Sequence, residues 1–464
     1  MSTKSENPLS ALAKAQQVNL DPEKYGTFAE IGAGQEVARH FFLAGKASQT
    51  IAKTISAYDM IYSDEIYGRE KNGRYVVKSR LMKMLDKEFS LMLRRLQEHR
   101  GSRSTFFAFA NTVATGSSET PRCHGWMGIR FQTKPNGPHH DIILHVRMMD
   151  RHRLQQQDSL GILGANLVHG AFYHRKTSQE FINHLVDNLK NGQIMIDYFE
   201  ATGPDLKHFD NRRINIELVK RGLAEAVMFE ADQSLASISD AVYGKSLLIQ
   251  RGHYRPMTIS HWDMMQRGLE QLKADVKDLK LKTQDVVSLN EIEVSGENDI
   301  DDILLRMESL SHLGLRTLIT NFPLYYQLKS FFRKYTQAPM ILVMSASHLD
   351  RIFDPQNYKN LEGGIFEGLG KLLDENTRLY IYPYKTEKSC LTVSTYGPAA
   401  NVRNLFEHFT ENEFILDISG CDQSLHFFHS EEVRRLMQKK DKHWEDLVPE
   451  KLIEFLKEKK WPKN

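Results

Sequence analysis

Residues 300–346 read IDDILLRMESLSHLGLRTLITNFPLYYQLKSFFRKYTQAPMILVMSA. Ile300, Ile303, Leu304, Met307 and Leu310 recur at helical spacing over Ile300–His312. A short apolar run, Arg316–Asn321, follows. Leu324, Leu328, Phe331, Phe332 and Tyr335 then mark a second amphipathic helix, and Pro339–Ala346 a second apolar run. Short apolar runs separated by helices are the pattern of strands buried on both faces of a parallel sheet.

Working outward, the same rhythm covers Ile142–Met149, Gln193–Phe199, Ala226–Glu230, Ser246–Arg251, Asp285–Val294 and Arg378–Tyr384. The count of strand–helix units is about eight, which predicts an α/β fold with a mostly parallel sheet. A (β/α)8-like barrel is favoured, and an open doubly wound sheet is the alternative. Residues 1–104 read as a helical N-terminal region, with helical spacing in Gly34–Leu43, Ala47–Tyr58 and Ser79–Glu98. A first α/β part spans 105–271. It contains a hairpin, Trp126–Gln132 with Asp141–Met149, turned by Lys134-Pro135-Asn136-Gly137-Pro138. The Lys- and Asp-rich run 272–285 is a candidate boundary. A second α/β part with a C-terminal helix fills 286–464.

The 464 residues are 41% hydrophobic and 26% charged, ordinary for a soluble globular chain. A net charge of +2 gives no bulk electrostatic attraction to nucleic acid or an anionic membrane. Cys123, Cys390 and Cys421 are the only cysteines, a set that argues for a reducing compartment and against a disulfide framework. Met1–Gln17 lacks the apolar core of a secretory signal, and the apolar runs near Leu160–Val168 and Ala338–Ala346 are too short to span a membrane. A cytoplasmic protein is expected.

Strand ends supply the candidate site. His145 and Arg147 share one face of Asp141–Asp150. Asp197, Glu230, Arg251 and Asn321 close other strands, and Asn111 ends an earlier one. His124, His145 and Asp197 are the candidate catalytic groups, suited to moving protons. Arg147, Glu230, Arg251, Asn111 and Asn321 are candidates for holding a substrate or phosphate. Cys123, His124, His139, His140 and His145 match no zinc spacing, so no metal ligands are expected. No cofactor is identified. Ala29–Gly34 carries a lone Gly-x-Gly, which by itself is a weak fingerprint.

The whole chain resembles a bacterial family of about this length. That family is labelled either nicotinate-nucleotide adenylyltransferase-like or TonB-dependent receptor, and the second label conflicts with strands that alternate with helices. Gly26-Thr27-Phe28-Ala29-Glu30-Ile31-Gly32-Ala33-Gly34-Gln35 resembles the adenylyltransferase motif Gly-Thr-Phe-Asp-Pro-Ile-His-x-Gly-His, with Gly32 and Gln35 in place of its two histidines. Phe428–Arg434 resembles the family's Ile-Ser-Ser-Thr-x-Ile-Arg phosphate motif through Ser430 and Arg434, with Glu431 at the Thr position. Leu447-Val448-Pro449 resembles its C-terminal Leu-Val-Pro.

The resemblance implies nucleotide binding through Gly26, Thr27, Gly34, Ser430 and Arg434. Two functions follow as expectations. One is an enzyme acting on a nucleotide or phosphorylated metabolite at the strand ends. The other is a non-catalytic regulatory or assembly protein that presents Tyr325, Tyr326, Phe331, Phe332 and the helix Lys451–Lys460.

Overall fold

In the computed structural model the chain forms two compact units, Met1–Glu225 and Ala226–Asn464. Residues 8–70, 73–115, 123–278, 285–296, 299–459 and 461 are described. Among them, no helix is long and apolar enough to cross a membrane.

The first unit holds a six-stranded mixed sheet. Its strands are β1 (Lys24–Gly32), β2 (Ile51–Ile55), β3 (Thr105–Ala114), β4 (His124–Gln132), β5 (His139–Met148) and β6 (Ile194–Thr202), in the order β2-β1-β3-β4-β5-β6. β2, β1 and β3 are parallel, and β3 to β6 are antiparallel. The β4–β5 hairpin turns where Pro and Gly cluster, with Asn136 in the left-handed region and Gly137 N–H donating to the Lys134 carbonyl.

The expectation of a helical N-terminal region is corrected in part: four helices lie among its described residues, and β1 and β2 lie there too. β1 is flanked by strands on both edges and its central residues are buried, so it need not alternate apolar with polar residues. β2 is an edge strand whose burial alternates with period two, a pattern too short to stand out inside Ala47–Tyr58.

Among its described residues the second unit holds ten strands: β7 (Ala226–Phe229), β8 (Leu235–Ala236), β9 (Ser246–Arg251), β10 (Val286–Glu293), β11 (Thr317–Thr320), β12 (Met340–Ser345), β13 (Thr377–Tyr382), β14 (Tyr384–Lys385), β15 (Cys390–Leu391) and β16 (Ile415–Asp417). Eight of them form one sheet, ordered β16-β13-β12-β9-β10-β11-β7-β8, and β14 pairs with β15. The six strands from β16 to β11 are all parallel. Counted along the chain from β9, their spatial order is 3-2-1-4-5-6, the order of a doubly wound dinucleotide-type sheet.

The favoured barrel is therefore corrected to two open sheets. After β11 the chain returns to the other side of β9, so helices cover both faces and the sheet cannot close on itself. On one face Leu248, Val343 and Tyr380 pack with Met264, Met265 and Leu272 of the helix Ile259–Asp278. On the other, Ile249, Leu342 and Leu379 pack with Leu328, Leu369 and Phe406 of three further helices. Each fully buried side chain of this kind contributes roughly 1.5–3 kcal/mol.

Further readings change with these packings. Of the run 272–285, residues 272–278 end the helix Ile259–Asp278 of the second unit, and residues 279–284 are outside the described set. The unit boundary falls at Glu225–Ala226 instead. Tyr325, Phe331 and Phe332 are buried in the core, so they present no surface, and Tyr326 packs against the same core. Cys390 and Cys421 form a disulfide, which corrects the reading against disulfides, and the buried Cys123 thiol donates to Gln156 Oε1 at 2.9 Å.

Candidate functional site

In an open doubly wound sheet, ligands bind outside the carboxyl ends of the strands, where the strand order reverses. In the second unit that point lies between β9 and β12. The chain leaving β9 there reads Gly252-His253-Tyr254-Arg255-Pro256-Met257-Thr258-Ile259-Ser260-His261. Against the motif Gly-Thr-Phe-Asp-Pro-Ile-His-x-Gly-His, Gly252, Pro256 and His261 are identical. Tyr254 supplies the aromatic ring, and Thr258 stands for the first histidine. The sequence resemblance lies at Gly26–Gln35; this second stretch of similar spacing starts one residue beyond the strand Ser246–Arg251.

Local structure explains these residue choices. A Cβ on Gly252 would lie 2.8 Å from the Tyr254 ring, so only glycine fits this turn. Tyr254 adopts φ of 48° in the left-handed region, a strained conformation for an aromatic residue, and its buried hydroxyl donates to the Gln250 carbonyl at 2.7 Å. Thr258 precedes the helix Ile259–Asp278, and its hydroxyl oxygen accepts from His261 N–H at 3.4 Å, an N-cap contact.

The same hydroxyl donates its one proton to the Phe428 carbonyl at 3.0 Å, so the imidazole Nδ1 of His261, 2.6 Å away, must be the donor to Thr258. That assigns the tautomer and leaves Nε2 as the basic nitrogen. Burial, with His348, His429 and His253 nearby, lowers the His261 pKa to about 3.

Ser430 and Arg434 reach this loop from the start of the helix Ser430–Gln438. The Ser430 hydroxyl donates to the Pro256 carbonyl at 2.8 Å, and Arg434 Nη1 donates to the Arg255 carbonyl at 3.1 Å. Ser260 joins them by donating to the His426 carbonyl and accepting from Phe428 N–H, each at 2.9 Å. Residues some 170 positions apart in sequence thus form one hydrogen-bonded rim, and two helix amino termini help build it.

Arg251 and Asn321 belong to the same edge. Arg251 pairs bidentately with buried Glu291, at 3.0 and 2.8 Å, and lies 4.5 Å from the Tyr325 ring centroid. Burial alone would lower its pKa, but Glu291 outweighs that and holds it above the usual value. Arg251 Nη1 also donates to the Pro323 carbonyl, two residues beyond Asn321. Glu230 falls at the opposite edge, because β7 is antiparallel to β11, and there it pairs with Arg316 at 2.5 Å.

The remaining expected residues lie in the first unit. His124, His145, Asp197 and Arg147 do come together. His124 Nδ1 lies 2.9 Å from His145 Nε2, His145 Nδ1 contacts Asp197, and Arg147 Nε sits 3.2 Å from Asp197 while its guanidinium also contacts Glu225. A register shift in the β5–β6 pairing leaves Asp197 as the extra residue, turning its carboxylate toward the His145 face. Burial would raise the Asp197 pKa, but the charges of His145 and Arg147 hold it below the ordinary carboxylate range.

Asn111 lies elsewhere, donating to Glu30 at 3.1 Å and to the Gly34 carbonyl at 2.8 Å. A Cβ on Gly34 would meet Asn111 Oδ1 at 2.1 Å, which fixes that glycine. Gly26 and Thr27 are paired along β1 with β2 and β3, so ladder bonds take up the backbone donors that a phosphate loop would need.

Glu30 was not singled out by sequence. Its carboxylate accepts from Val37 and Ala38 N–H at 3.3 and 3.2 Å, occupying the start of the helix Glu36–Leu43 beside a groove of about 390 Å³. Burial pushes its pKa up to about 8, against those donors and Asn111. The folded state therefore keeps a proton that the unfolded chain releases, and stability should fall as pH rises from about 4.5 to about 8. We expect Glu30→Gln to flatten this fall, so that the variant gains roughly 4 kcal/mol on the wild type between pH 5 and 8. Parallel pH profiles of thermal unfolding for the two proteins would refute this.

No protein-family model matches the chain, and no curated protein matches it. Among solved structures, it is similar to the competence/damage inducible protein CihA from Agrobacterium tumefaciens at 17% identity, covering 35% of this chain and 96% of that one, with a TM-score of 0.26. A competence-damaged protein (CinA) superfamily protein from Enterobacter cloacae shows 10% identity, 40% and 96% coverage and a TM-score of 0.25. Plasmodium falciparum nicotinic acid mononucleotide adenylyltransferase, complexed with APC, shows 12% identity, 47% and 96% coverage and a TM-score of 0.29. At such values the likeness is partial.

Proposed function

We propose that the second unit is a nucleotidyltransferase that moves a nucleoside monophosphate from a nucleoside triphosphate to a mononucleotide. One observation carries this reading: the Gly252–His261 loop at the reversal point of the sheet is hydrogen-bonded to Ser430 and Arg434. The two halves of the adenylyltransferase pattern thereby meet in space.

In the reaction, a phosphate oxygen of the acceptor attacks the α-phosphorus, and the bond to pyrophosphate breaks. The protein's task is positioning and charge stabilisation. His261 is suited to the second role once Nε2 carries a proton, because Nδ1 is already committed to Thr258. The helix amino terminus at Ile259, with no acidic residue in its first turn, favours an anionic phosphate.

Free His261 is neutral at pH 7, and an arriving triphosphate raises its proton affinity. Nucleotide binding should therefore take up as much as one proton. Calorimetry of ATP binding in two buffers of different ionisation enthalpy checks this. Equal binding enthalpies in both would remove His261 from the phosphate site, and no binding at millimolar ATP would remove the whole reading.

A second reading is favoured by the chain Asp197–His145–His124, which has the form of an acid–base relay. We assign it to a separate proton-transfer centre in the first unit. Arg147 is engaged by Asp197 and Glu225, so it would position the relay rather than hold a phosphate. The His261→Ala protein should still turn over a substrate at this centre, and Asp197→Asn should abolish that turnover. If the His261→Ala protein shows no activity on a panel of esters, amides and phosphomonoesters, the reading fails.

A further inference from the structure

Three of the first unit's histidines that neither reading uses lie together. His169 lies on the helix Arg153–Tyr173, His174 caps its carboxyl end, and His184 lies on the helix Ser178–Leu185. One ring nitrogen from each falls within 4.8 Å of the others. His169 Nδ1 and His184 Nε2 are 3.1 Å apart. Two imidazole nitrogens on a tetrahedral zinc ion, each at about 2.0–2.1 Å, stand about 3.3 Å from one another. The pair is already at nearly that spacing.

The other nitrogen of each ring faces an oxygen. His169 Nε2 lies 2.9 Å from Gln17 Oε1, His174 Nδ1 lies 3.0 Å from Glu180, and His184 Nδ1 lies 3.1 Å from Asp187. Metal-binding histidines carry such outer partners, which fix the tautomer and orient the ring. Here the partners point Nδ1 of His169 and Nε2 of His174 and His184 toward the shared space.

We propose that His169, His174 and His184 form a binding site for a divalent transition metal of the zinc type, joining the two helices around the turn 174–177. Three imidazoles suit zinc, copper or nickel better than calcium or magnesium.

Lys14 is the nearby opposing charge, and Asp187 compensates it at 2.7 Å while also accepting from His184. One adjustment is required. The His174 and His184 rings are stacked, with centroids 4.1 Å apart and planes inclined by 14°, so their in-plane lone pairs run side by side. His174 must tilt to meet the ion. It sits beyond the helix end with its side chain about a third exposed, and so has room to do so.

The test titrates the full chain, stripped with chelator, with zinc chloride, followed by cobalt spectroscopy of the same protein. We expect one tight equivalent of zinc, a raised unfolding temperature for the first unit, and an intense tetrahedral cobalt spectrum. His174→Ala, a change at the exposed ligand, should weaken zinc affinity at least 10-fold while the fold persists. His184→Gln should do the same. Two outcomes would overturn the proposal: no retained zinc after gel filtration, or zinc bound equally by wild type and both variants. The second outcome would place the ion elsewhere, for example among the imidazoles of the second unit.

Discussion

His261→Ala is expected to lower the turnover of nucleotidyl transfer by about 10²–10³-fold, with a much smaller change in the KM for nucleotide. That range is the usual loss when one preorganised donor to a developing phosphate or oxyanion charge is removed, about 2.7–4 kcal/mol of transition-state stabilisation. The reasoning is structural as well as chemical. His261 is anchored by its own backbone N–H and its Nδ1 to Thr258, which is anchored in turn to the Phe428 carbonyl. The imidazole therefore costs no reorganisation when charge builds on the phosphate.

Thr258→Val should act through that anchor. It removes the acceptor that sets the tautomer, so we expect a fall of about 10-fold in kcat and a shifted pH profile. Steady-state kinetics with ATP and a mononucleotide acceptor measure both. A His261→Ala enzyme within a factor of three of wild type would sink the assignment.

The second large effect concerns stability. Arg251→Met should destabilise the second unit by about 3–5 kcal/mol, the cost of leaving a buried charge without its partner. Glu291 has no solvent exposure. Without the bidentate guanidinium its carboxylate keeps the 2.7 Å bond from the Thr320 hydroxyl. The double variant Arg251→Met, Glu291→Met should recover most of the loss, because two apolar side chains need no pairing. Urea unfolding of the full chain, read on the transition of the second unit, distinguishes the two proteins. A loss below 1 kcal/mol in the single variant would mean that the pair is solvated and that Arg251 is available to a ligand after all.

The two units differ in how much of their chemistry could be read from residues alone. His145 and Arg147 fall on one face of β5 by simple alternation, and Asp197 was visible as a polar break in an apolar strand. Their meeting was not visible, because it depends on a register shift that alternation cannot reveal. Glu30 looked like an ordinary polar residue, and its buried setting arises from the helix Glu36–Leu43 folding over β1. The histidines at 169, 174 and 184 follow no recognised ligand spacing, since two of them are separated by a helix end and a turn.

In the second unit, Ser430 and Arg434 stand out from the family resemblance, while Gly26 falls in a strand interior. The contact of Ser430 and Arg434 with the Gly252–His261 loop becomes evident only once β9 is seen at the centre of the sheet.

What the sequence determined by itself was the α/β class, the helix Ile300–His312 and the positions of most strands of the second sheet. Those depend on local periodicity, which reports the side of each segment that is buried. What only the tertiary structure decided was strand order, openness and the identity of the neighbours. An apolar strand pairs equally well with many others, and its place is settled by the crossover connections and the packing of distant helices. The rim that joins His261 to Ser430 is a product of that order, so no local stretch of chain could have announced it.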